Sequence, residues 1–138
     1  MADFKIAFKR TGGFEGGWVN DPNDSGKETA FGISRRYHPT WAGWRIVDEQ
    51  KQKANFPRNL SQRKHELDPL IERFYRENFW NPIWGDKIHI QEVANTVYDF
   101  AVNAGVSKSI RINEKQFGLP ETGRMSYPLL FKFNMIRK

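Results

Sequence analysis

Apolar positions along the chain recur mostly at intervals of three and four. Phe4, Ala7, Phe8 and Thr11 share one face and predict a first helix. Gly12-Gly13 weaken it and Gly16-Gly17 end it, which leaves Glu15 at or just past its C-terminus. Asn20 to Gly26 is a run of turn formers. Thr29 to Ser34 predicts a short extended piece or a tight hairpin edge, and Trp41 to Lys53 a short helix with Trp44, Val47 and Gln50 on one side. Asp68-Pro69 reads as a helix start, with Asp68 as N-cap and Pro69 in the first position. Leu70, Ile71, Phe74 and Tyr75 continue that helix until Asn81-Pro82 stops it.

The cleanest amphipathic stripe is Ile90, Val93, Ala94, Val97, Ala101 and Val102, closed by Gly105. Ser107 is placed to cap a helix running to Gln116, with Gly118 as its stop. Residues 118–123 form a loop, and Ser126 to Arg137 predicts a last helix carrying Leu129, Leu130, Phe133 and Ile136. The expected class is mainly α, with a short irregular or hairpin segment after the first helix.

Composition narrows the function classes. The chain has 138 residues, enough for one domain with its own core. It has no cysteine, which excludes a disulfide framework, a thiolate zinc site and a cysteine nucleophile. No apolar run is long enough for a transmembrane helix. The first residues, Met1-Ala2-Asp3-Phe4-Lys5, lack the apolar core of a signal peptide, so action at a wall or in the periplasm would need holin-type or other release. The net charge is +6, and the last 38 residues hold seven Lys/Arg against two Asp/Glu. Such a surface suits an anionic partner: nucleic acid, anionic lipid or wall polymer. No helix-turn-helix, RNP or zinc motif favours nucleic acid, so none is expected as a partner.

Chemistry concentrates in Phe14-Glu15-Gly16-Gly17-Trp18-Val19-Asn20-Asp21-Pro22-Asn23-Asp24 and its continuation to Ile33. A glutamate flanked by aromatics and glycines is open to partial desolvation, which raises a carboxyl pKa toward the range of a general acid. Asp24 follows nine residues later across a turn-rich stretch. Two carboxylates in different environments are what glycoside hydrolysis requires. The plainer reading is a solvated turn. A calcium loop is also open, although the order and closing glutamate of an EF-hand are missing.

The series Glu15-Gly16-Gly17-Trp18, Asn20-Asp21-Pro22, Asp24, Gly26, Thr29 and Gly32-Ile33 resembles the opening motif of glycoside hydrolase family 108. Phe74-Tyr75-Arg76-Glu77-Asn78-Phe79-Trp80 resembles that family's Tyr-Arg…Tyr-Trp helix, and Asp99 to Gly105 its Asp-x-Ala-Val-Asn-x-Gly helix. The resemblance covers roughly residues 3–117. It implies a lysozyme-like, mainly helical muramidase acting on peptidoglycan glycan strands without a cofactor or metal, with Glu15 as proton donor. A more distant similarity to phage-type lysozymes implies Asp24 as the second carboxylate and a catalytic place for Thr29, with Asp21 and Glu28 as alternatives to Asp24. Trp18 stands where the family commonly has Tyr, and Asn81 where an Asp is common.

On this reading residues 1–117 form the muramidase domain. Residues 118–138 form a tail, a truncated wall-binding module packed on the same domain. Trp18, Asn20, Asp21, Asp99 and Asn103 are the expected substrate-binding residues, and a monomer is expected. Trp41, Trp44, Trp80 and Trp84 are either sugar platforms or core; His38, His65 and His89 lack metal-ligand spacing. The rival class is a non-catalytic wall-binding or secretion-assisting protein on the same fold.

Overall fold

The apolar stripe Phe4, Ala7 and Phe8 forms the buried face of α1 (Phe4–Thr11) in the computed structural model, which describes residues 1–23 and 28–136. The helix stops a turn earlier than the glycine pattern suggested. Gly12 and Gly13 both take positive φ, +67° and +90°, which leads the chain out of the helix. Three short strands follow: β1 (Trp18–Asn20), β2 (Glu28–Ala30) and β3 (Ile33–Ser34). After them come α2 (Gly43–Lys51), a 3-10 turn (Arg58–Arg63) and α3 (Lys64–Tyr75). One wide turn over Arg76–Trp80 and two 3-10 turns lead to α4 (Gln91–Ala104), α5 (Val106–Gln116) and α6 (Tyr127–Met135). No helix among the described residues is long and apolar enough to cross a membrane.

The chain divides into two compact units. One comprises Met1–Thr11 and Tyr75–Lys138, the other Gly12–Phe74. In the first, α1 packs on α4 and α4 on α5. Phe4 meets Trp80 edge-on at 5.6 Å and Tyr98 at 5.9 Å, so three aromatic rings centre this core. Trp80 is fully buried, and its indole N–H donates to Asp86 Oδ1 at 2.9 Å. Gly85 has to be glycine, because a Cβ there would lie 2.1 Å from the Trp80 ring. Ser126 caps α6 by accepting the Leu129 N–H, and Leu129 and Phe133 turn inward, Phe133 against Phe117. Gly105, not Ser107, occupies the N-cap position of α5.

The second unit is built on an antiparallel sheet in the order β1-β2-β3. Trp18 pairs with Ala30, Asn20 with Glu28, and Thr29 with both Val19 and Ser34. The expected hairpin edge is therefore β2-β3, joined by Phe31-Gly32 at φ of 55° and 79°. Positive φ at both turn residues matches the right-handed twist of the flanking strands. β1, which the turn-forming residues after it concealed, adds the third strand. Trp44, Val47 and Gln50 form the buried side of α2, as their spacing predicted. Buried Gln50 and Asn59 exchange side-chain-to-carbonyl hydrogen bonds of 2.8 and 3.0 Å, tying α2 to the 3-10 turn.

Asp68-Pro69 does not start a helix. α3 begins at Lys64, continuing directly from the 3-10 turn, and Pro69 lies inside it. Helix entry is carried by charge pairs, Arg63 to Glu66 and Lys64 to Asp68. Pro69, the sixth residue of α3, has no N–H to donate, so the helix runs through it with one backbone bond missing.

Candidate active site

Glu15 sits in the tight turn that the glycines create between α1 and β1. Its Oε1 accepts the Gly13 N–H at 2.9 Å, so the carboxylate folds back over the turn that carries it. A Cβ on Gly12 would lie 2.7 Å from the same oxygen. Small residues are thus required here for room as well as for backbone conformation. Glu15 is exposed, which corrects the expectation that Phe14 and Trp18 would desolvate it.

Glu15 and Trp18 border one cavity of about 420 Å³ within the Gly12–Phe74 unit. Phe14, Trp18 and Phe31 supply aromatic surface, and Leu60, Leu67 and Ile71 an aliphatic floor. Phe31 holds positive φ, an uncommon state for a bulky residue. Backbone strain of this kind is found preferentially at functional sites. The polar lining comes from one helical run: Arg58, Ser61, Lys64 and Asp68, spaced three, three and four apart. Lys64 Nζ and Asp68 Oδ2 pair at 3.0 Å.

Trp18 is held from behind. Its indole N–H donates to Glu28 Oε2 at 2.7 Å, and its ring meets Phe56 edge-on at 4.8 Å. Glu28 also pairs with Arg35 at 3.0 Å and with Lys51. Arg35 in turn grips Asp48 with two bonds of 2.8 Å. Burial alone would push the Glu28 carboxyl up. Hydrogen bonds from Lys51, Trp18 and Arg35 outweigh it and hold the group below its ordinary value of 4.5. Glu28 is thus an ionised anchor with both oxygens engaged.

The other candidate residues are dispersed. Asn20 and Asp21 are exposed, and Asp21 Oδ1 accepts the Asn23 N–H at 2.9 Å, a turn-stabilising bond. Asp24 lies outside the described residues. Thr29 pairs with Val19, so strand alternation puts it on the sheet face opposite Trp18 and Glu28. Asp99 and Asn103 belong to the other unit. Asp99 lines a small polar recess with Arg10, Thr11, Asn95 and Thr96, and Asn103 Nδ2 donates to the Asp99 main-chain carbonyl at 2.8 Å. The cavity brings Glu15 together with Trp18 among these residues and adds Phe31, Arg58, Ser61, Lys64 and Asp68. The spacing of the last four was a visible signal. Pro57 before them and Asp68-Pro69 after them disguised it as loop.

The family model for glycosyl hydrolase 108 matches residues 8–105, more than half of the chain and the whole stretch from Glu15 to Gly105. The chain belongs to the glycosyl hydrolase 108 family. Comparison with proteins of curated function gives no match. Among solved structures, SagA of Brucella abortus is similar, with a TM-score of 0.66 over 97% of this chain and 70% of that one, at 23% identity. At that identity the likeness is one of fold. The architecture is the mainly α, lysozyme-like one that the family resemblance implied.

Proposed function

We propose that the protein hydrolyses peptidoglycan glycan strands at the β-1,4 bond between N-acetylmuramic acid and N-acetylglucosamine, with Glu15 as general acid. The observation that carries this reading is the position of Glu15 in a glycosyl hydrolase 108 chain. It is an exposed carboxylate beside Trp18 at the edge of a cavity with aromatic and aliphatic walls. Protonated Glu15 gives its proton to the leaving glycosidic oxygen as the C–O bond breaks and positive charge spreads over the sugar ring. Trp18 offers an amphipathic ring to the pyranose, held in place by Glu28.

Asp24 is the second carboxylate of this reading, aligning the attacking water or stabilising the oxocarbenium-like transition state; Thr29 keeps the catalytic place that the similarity to phage-type lysozymes implied, and Asn20 and Asp21 are taken as substrate-binding residues. The basic surface holds the enzyme on an anionic wall through attraction that salt weakens. The test is release of new reducing ends from purified sacculi by the wild type and by Glu15→Gln. Activity in the wild type alone supports both reaction and acid. Sacculus binding by the wild type without new reducing ends would replace this reading with that of a wall-binding protein.

A further inference from the structure

The cavity beside Glu15 has a composition that an uncharged hexosamine does not call for. Its floor is the aliphatic trio Leu60, Leu67 and Ile71, each buried. Its volume of about 420 Å³ is far more than an acetamido methyl fills, and lies in the range of small-ligand sites. Four charged groups line it: Glu15, Arg58, Lys64 and Asp68. Lys64 and Asp68 neutralise each other at 3.0 Å. Arg58 makes no ion pair with any described residue; its carbonyl accepts the Ser61 hydroxyl at 3.0 Å, and its guanidinium is left for a ligand.

We infer that this cavity is a subsite for the lactyl-peptide stem of muramic acid, with Arg58 binding a stem carboxylate over the aliphatic floor. The inference rests on the muramidase reading above. In peptidoglycan the stem hangs from the same sugar whose glycosidic bond is broken, so a pocket for it must border the acid, as this one borders Glu15. The stem is also the part of the polymer that joins methyl groups to free carboxylates. Alanine methyls match Leu60, Leu67 and Ile71. A planar guanidinium matches a carboxylate with two parallel hydrogen bonds. The sugar ring offers neither chemistry.

The experiment compares two soluble substrates: glycan strands bearing their stem peptides, and the same strands stripped by an amidase and then converted to the primary amide at the lactyl carboxylate that the amidase exposes. Wild type is expected to favour peptide-bearing strands in kcat/KM by about tenfold or more, the scale of a hydrogen-bonded carboxylate–guanidinium contact. In Arg58→Gln that ratio falls to about 1, with the change in KM. Arg58 is exposed and outside the core, and an unchanged Tm confirms an intact fold. A wild-type ratio near 1, or an Arg58→Gln ratio like that of the wild type, overturns the subsite while leaving the hydrolase reading in place. If neither substrate yields reducing ends, the hydrolase reading fails. Calorimetric binding of the same two strands by wild type and Arg58→Gln then decides the subsite alone. A peptide preference lost with Arg58 upholds it, and equal binding of the two strands ends it.

Discussion

Trp18 and Glu28 face each other across β1 and β2, indole N–H to carboxylate oxygen at 2.7 Å. Glu28 lies two positions from Ala30, the cross-strand partner of Trp18, on the same sheet face, and the bond fixes an aromatic wall of the cavity to a carboxylate that Arg35 and Lys51 keep ionised. The Glu28 side chain is 12% exposed, so its charge has little solvent of its own. Glu28→Gln is expected to cost about 1–3 kcal/mol, because Arg35 and Lys51 each lose one of their two carboxylate partners.

The same network sets an acid dependence. Glu28 has its folded pKa held below 4.5, and Asp48 below 3.8, the latter chiefly through its hydrogen bonds from Arg35. A depressed carboxyl stabilises the fold in full above its unfolded value and loses that contribution as pH falls through the folded one. The urea midpoint of the wild type should therefore drop more steeply than that of Glu28→Gln between about pH 5 and pH 3. Parallel slopes would show that Glu28 is not held ionised.

Gly12 tests the geometry of the acid without touching it. A Cβ there meets Glu15 Oε1, the free end of a flexible side chain, so the carboxylate swings away at little cost in packing. Positive φ at Gly12 adds about 1–2 kcal/mol for alanine. Gly12→Ala is expected to lose about tenfold or more in kcat on sacculi, on the scale that misplacing a catalytic group by a fraction of an ångström produces, while staying folded by circular dichroism. Full activity would mean that the resting position of Glu15 does not matter to the reaction.

Helical periodicity made most of the fold legible, because α1, α2, α4 and α6 each bury one face of ordinary spacing. Leu129 and Phe133 in α6 were on the page as a repeat of four. β1 was hidden, since three residues cannot display a period of two and only pairing with β2 reveals them. The start of α3 was misread at Asp68-Pro69, because local capping chemistry looked stronger there than at Lys64. The charge pairs that carry the true start link residues whose helical register the sequence does not declare. Of the residues that line the cavity, Glu15 and Trp18 stand in the motif that the sequence displays. Arg58, Ser61, Lys64 and Asp68 showed their spacing but not their common wall, which depends on a 3-10 turn running straight into α3.

Glu114 holds the segment after α5. It is 2% exposed, and it accepts the N–H groups of Thr122 and Gly123 at 2.8 and 2.9 Å and the Thr122 hydroxyl at 2.7 Å. Burial pushes its carboxyl up, but these donors prevail and keep it below the ordinary value. Glu114→Ala strips two backbone N–H groups of their acceptor and is expected to cost about 2–3 kcal/mol. The same variant should be cut by protease near residues 118–125 sooner than the wild type. A Tm within a degree or so of wild type, with unchanged digestion, would show that another contact secures this segment.

Tyr98 gives the opposite case, a polar atom whose removal should help. The residue is fully buried among Phe4 and Trp80, and its hydroxyl has no hydrogen-bond partner among the described residues. Burial, with the charges of Tyr75 and Asp99, raises its pKa well above the ordinary 10.0, so it stays neutral at any working pH. A buried hydroxyl without a partner carries a desolvation cost of about 1–3 kcal/mol that phenylalanine does not incur. Tyr98→Phe keeps the ring and its edge contacts, and is expected to leave stability unchanged or raise it by about 1 kcal/mol. Chemical denaturation of the two proteins side by side decides the matter. A loss of more than about 1 kcal/mol would mean that the hydroxyl is satisfied in solution, by an ordered water in the core of this unit.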